Sequence, residues 1–193
     1  MRTYLVSRRS CALAFASAAV GLSPSLPERK VGFPGIIGRG DGSVLPLTAL
    51  TPLILAIMVA WGLTSRRNHL TQNAVRRTGW LDASLILVLE VVVALITLVL
   101  PSGDWTVTRN VIVLVGLSVF GAAAVSPQVG AALVTVFVLF VVTYGAAAPG
   151  ARFVRILQAP STAPWPLTFA GLVTGAAILT LLLAPVSNGR EDA

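Results

Sequence analysis

The chain has 193 residues, of which 55% are hydrophobic and only 11% charged, with a mean hydropathy of +0.86; soluble domains carry roughly 25% charged residues, so the composition excludes an ordinary soluble globule and points to a lipid bilayer. The net charge of +7 is almost all arginine, with Lys30 the only lysine, and it lies between apolar runs where it orients helices, which argues against a nucleic-acid partner. A single cysteine, Cys11, and a single histidine, His69, exclude an intrachain disulfide and a zinc motif.

Arg2, Arg8 and Arg9 precede a first apolar segment, 10–26. The small-residue run Phe15 to Ala19 would also suit a signal peptidase, so a retained helix and a cleaved signal both stand. Either one leaves the following residue outside. The outer loop 27–43 is rich in glycine and charge and is expected to be a connector, because it lacks the Gly-Lys-Ser/Thr ending of a phosphate-cradling loop. A second span is expected over 44–64, with a kink or hinge at Pro52.

The loop 65–80 holds Arg66, Arg67, Arg76 and Arg77 with no acid up to Trp80, the pattern that keeps a short loop in the cytoplasm. The third span, 81–100, carries Glu90 at its middle. After an outer loop, 101–106, the fourth span covers 107–125, and Arg109 is expected to snorkel towards the outer headgroups. The fifth span, 129–148, leads into an outer loop, 149–166, in which Arg152, Phe153, Arg155, Ile156 and Leu157 form a short amphipathic piece suited to the outer interface. The sixth span, 167–186, contains the GxxxG pair Gly171 and Gly175, which suits packing inside the bundle or a homodimer.

The expected fold class is therefore all-α: a polytopic transmembrane helical bundle of six spans, or five if the N-terminus is a cleaved signal, in the cell membrane with both termini cytoplasmic. Trp61 and Trp80 would then lie at the inner ends of their helices and Trp105 and Trp165 at outer ends, as an aromatic belt requires. The partner expected first is the lipid bilayer, with a homodimer or hetero-oligomer left open.

Glu90 is the only ionisable residue in the middle of a span. A charged acid there costs on the order of 3 kcal/mol on insertion scales, which its apolar neighbours can outweigh. It is either a working group, as proton carrier, cation ligand or anchor for a partner helix, or a neutral acid hydrogen-bonded to a neighbouring helix. No Ser/His/Asp set, HExxH or paired intramembrane aspartates occur, so neither an enzyme nor a cofactor is expected.

Six spans, cytoplasmic termini, a basic loop between spans two and three and an amphipathic segment before span six resemble the permease subunits of six-helix (type 2) ATP-binding-cassette exporters. The resemblance implies that Arg66 to Arg77 dock on a separate ATP-binding subunit and that Ala151 to Gln158, in a segment often re-entrant in that family, shape an outer gate. Only Met1 to Arg9 stand where the family carries an amphipathic elbow. Two alternatives accompany it: a non-transporting membrane partner, such as an immunity, scaffold or assembly protein, and a proton-coupled carrier using Glu90.

Overall fold

The computed structural model describes residues 10–25, 30–33, 43–64, 79–100, 105–145, 156–157, 159 and 164–183. These form a helical bundle: α1 (Ser10–Gly21), α2 (Leu47–Thr64), α3 (Gly79–Val99), α4 (Thr106–Ala124), α5 (Pro127–Gly145) and α6 (Pro164–Leu183). Three of them, α3, α4 and α6, are long and apolar enough to cross a membrane, while the apolar stretches described for the others are shorter: Cys11–Ser25, Leu50–Gly62 and Pro127–Thr143. Twenty-one residues in α3 give about 31 Å at 1.5 Å per residue, close to the roughly 30 Å of a hydrocarbon core.

Proline sets several helix boundaries. The helix α5 starts on Pro127 and α6 on Pro164, the first position, where a missing N–H costs nothing. These starts lie two and three residues before the expected ones. In α2 the chain stays helical through Pro52, but Val44 to Pro46, expected in that span, are in a strand instead. The first segment is also shorter than expected. Its α-helix stops at Gly21 and gives way to a 3-10 turn over Ser23–Ser25, because Pro24 has no N–H and disfavours the α conformation of the residue before it.

The expected connector 27–43 is a second correction. Strands β1 (Lys30–Phe33) and β2 (Ser43–Pro46) pair antiparallel, with Val31 opposite Leu45 and Gly32 opposite Val44. Val31, Phe33, Val44 and Leu45 are of the β-branched and apolar kinds that favour such pairing. The hairpin packs on the start of α2 and on α5.

The helix α4 is central, with twelve of its nineteen residues buried, and it contacts each of the other helices. Valine supplies much of its surface: Val111, Val113, Val115 and Val119 join Leu55, Val59, Val93, Val134 and Leu181 in one core. Close approach depends on two missing side chains. A Cβ on Gly116 would lie 2.8 Å from Val173 Cγ1 of α6, and one on Gly130 of α5 would strike the Ser118 carbonyl of α4. Gly171 and Gly175 correct the expectation of packing inside the bundle, since both are exposed and an added Cβ would meet nothing within 4 Å. A glycine pair permits contact but does not attract it, and α4 meets α6 through Gly116 on the opposite side.

Side-chain hydrogen bonds fix the register. Thr97 and Thr108 hydroxyls lie 2.6 Å apart and join the end of α3 to the start of α4. Ser118 donates to the Ala56 carbonyl of α2 at 2.7 Å, and Ser23 lies 3.2 Å from Thr51, oxygen to oxygen, joining the end of α1 to the start of α2. Gly79 abuts the backbone of Leu181 at the far end of α6. Together these contacts put Trp61 and Trp80 at one end of the bundle and Trp105 and Trp165 at the other. Trp61, Trp80 and Trp105 are exposed there, in the arrangement that tryptophan favours at a membrane interface.

Candidate functional site

Two polar features interrupt this apolar core. The first is at the start of α4. Arg109 and Asn110 are 1% and 0% exposed, and both face the short segment that precedes α6. Arg109 Nη1 donates to the Ala159 carbonyl at 2.7 Å, and Nη2 donates to the Leu157 carbonyl at 3.3 Å. Asn110 Nδ2 donates to the same Leu157 carbonyl at 3.1 Å. Arg109 also donates from Nε and Nη2 to Asn110 Oδ1, at 3.3 and 3.1 Å.

The planar guanidinium presents several donors in a fixed fork and can satisfy these acceptors together. Each carbonyl belongs to buried non-helical backbone, where an acceptor needs a donor from elsewhere in the fold. The expectation that Arg109 snorkels outwards is therefore corrected: it turns inwards because buried carbonyls need its donors. Ile156 and Leu157, expected along the interface, are 1% and 3% exposed and are folded against the bundle with Ala159. Arg152, Phe153 and Arg155 lie outside the described residues.

The second feature lies deeper. Glu90 is on the buried face of α3 with Ile86, Leu89 and Val93; it is 8% exposed, and its Oε1 has no hydrogen-bond partner among the described residues. Thr174 Oγ1 of α6 shares that condition. The register places both in the same layer. Glu90 is seven residues before Thr97, so across the antiparallel Thr97–Thr108 contact it reaches the level of Val115, and the neighbouring Gly116 touches Thr174. An unsatisfied buried oxygen costs roughly 1–3 kcal/mol, so this layer is polarised without being stabilised. Its polar atoms are one carboxyl oxygen and one hydroxyl oxygen, neither with a hydrogen-bond partner among the described residues.

Asp82, in the first turn of α3, is fully buried, where a carboxylate complements the helix dipole. Arg66, Arg67, Arg76 and Arg77 lie outside the described residues. Among the described residues no group of three or more His, Cys, Asp or Glu is placed to hold a metal ion. Asn110 and Thr174 had no signal in the sequence beyond being polar in an apolar run, although Asn110 adjoins Arg109 and the pair could have been taken together. No known family model, curated protein or solved structure matches the chain.

Proposed function

We propose that the chain is an integral membrane protein of six spans with both termini cytoplasmic, acting as a permease or permease-like subunit of an ATP-binding-cassette-type exporter with a separate ATP-binding subunit. The observation that supports this is the inward fold of Ile156, Leu157 and Ala159 onto Arg109 and Asn110. A segment tucked into the outer end of the bundle, rather than lying on it, is what an outer gate before span six requires, and it matches the re-entrant segment of the exporter family that the sequence resembles. ATP chemistry belongs to the partner. The test is co-purification of the full chain from its native membrane: an ATPase should accompany it, and reversing Arg66, Arg67, Arg76 and Arg77 to glutamate should release that ATPase. Absence of an ATPase from the purified complex sinks the reading.

Two observations favour other readings. The open Gly171 and Gly175 face favours a non-transporting membrane partner that offers this helix to another protein; substitution of both glycines by isoleucine would then abolish complex formation. The unpartnered Glu90 Oε1 favours a proton-coupled carrier, and a Glu90→Gln variant that transports normally across a range of pH would remove it.

A further inference from the structure

Between the first half of α2 and the second half of α5 lies a groove of about 400 Å³, lined by Leu53, Ile54, Val138 and Leu139 together with Thr51 and Thr135. We propose that it is a site for one acyl chain of a bilayer phospholipid. The inference rests on the membrane reading of the chain and not on the ATPase partner.

The walls select the occupant. Both threonine hydroxyls are engaged elsewhere: Thr135 Oγ1 donates to the Ala131 carbonyl at 2.8 Å, and Thr51 Oγ1 lies 3.2 Å from Ser23 Oγ. What remains of the lining is hydrocarbon. Water needs two to four polar partners to occupy a site and would find none here, and a polar or charged ligand would lose its hydration without replacement. The volume lies in the range of small-molecule sites, roughly 300–1,000 Å³, so the groove is larger than a packing defect.

Its opening selects the source. Ile54 is 61% exposed and Leu139 53%, so the groove opens sideways, and on a membrane-spanning bundle the side is lipid. The groove lies in the half of the bundle that carries the hairpin, since β2 runs directly into α2 and contacts α5. A chain entering from that leaflet has its headgroup at the hairpin end and its tail between the two helices. Thr135 to Val142 extend for about 10 Å along α5 at 1.5 Å per residue, enough to seat part of an acyl chain against a fixed wall.

The test is native mass spectrometry of the purified full chain in mild detergent, with the retained adduct identified by mass. One phospholipid should remain on each chain. Val138→Trp and Leu53→Phe fill the groove from opposite walls, and each should lower the occupancy by about tenfold, the effect of losing burial of about two methylene groups. Leu172→Trp, on the exposed face of α6, should leave occupancy unchanged. A thermal melt accompanies each variant, so that if one filling variant misfolds the other, together with the native chain, still decides the outcome. The proposal is overturned if the native chain retains no phospholipid, if the adduct is some other molecule, or if a folded filling variant retains as much lipid as Leu172→Trp.

Discussion

Arg109 donates to the carbonyl of Ala159, fifty residues further along the chain, at 2.7 Å from a fully buried position. Removing the guanidinium leaves the Leu157 and Ala159 carbonyls and the Asn110 side chain short of donors inside the bundle. Arg109→Ala is therefore expected to destabilise the protein by roughly 3 kcal/mol or more, since hydrogen bonds from a charged donor contribute about 1.5–3 kcal/mol each. Arg109→Lys should recover only part of this, because an ammonium does not reproduce the planar fork. Reversible unfolding of both variants in mixed micelles measures the difference.

Glu90 gives a prediction of opposite sign. Its Oε1 lacks a partner among the described residues, so Glu90→Leu removes a desolvation cost without breaking a bond to that atom. Stability should rise by about 1–3 kcal/mol. Any activity that uses the acid is lost in the same variant. A fall in stability on unfolding would show instead that the carboxyl is a structural bond donor.

The glycines separate into two kinds. A Cβ on Gly116 falls 2.8 Å from Val173 Cγ1, and one on Gly130 meets the Ser118 backbone; a backbone atom cannot move aside as a side-chain tip can. Gly130→Ala should cost about 1–3 kcal/mol and Gly116→Ala somewhat less. Gly171→Ala, with open space around it, should leave the melting temperature of the single chain within experimental error.

The Thr97 and Thr108 pair, 2.6 Å apart, is suited to a double-mutant cycle with valine at each position. Coupling of about 0.6 kcal/mol is expected, the typical value for such a bond between membrane helices, with about 1.7 kcal/mol as the upper end. Thr97 also donates towards the Val93 and Ala94 carbonyls of its own helix, so the coupling should fall in the lower part of that range. A value indistinguishable from zero would place the two hydroxyls apart in the folded protein.

Much of the helical architecture was legible in the sequence, because runs of about twenty apolar residues bounded by proline, glycine and tryptophan leave few other solutions. Boundaries moved by two or three residues wherever proline opened a helix, as at Pro127 and Pro164. What was not legible depends on neighbours. Arg109 beside an interface suggests snorkelling until Leu157 and Ala159 are known to present buried carbonyls to it. Gly171 and Gly175 have the spacing of a packing motif, yet Gly116 and Gly130, with no such spacing, make the close contacts, because which face of a helix meets another is decided by the whole bundle. The pairing of Lys30–Phe33 with Ser43–Pro46 was hidden by the glycine-rich sequence between them. Glu90 was visible as an anomaly; its sharing a layer with Thr174 was not.

The separation of Arg109 from Ala159 also sets an order of events during synthesis. Arg109 leaves the ribosome fifty residues before the carbonyl that it finally binds, an interval of about 3–10 s at translation rates of about 5–20 residues per second. Through that interval α4 and α5 can form their hairpin about Ser126 and Pro127, with Gly121 against Gly130, but the arginine has not yet met the acceptors of the 157–159 segment. Final closure of this end of the bundle therefore waits for Leu157 and Ala159, and a chain truncated before Ala159 would leave the hairpin with a buried cation lacking that carbonyl.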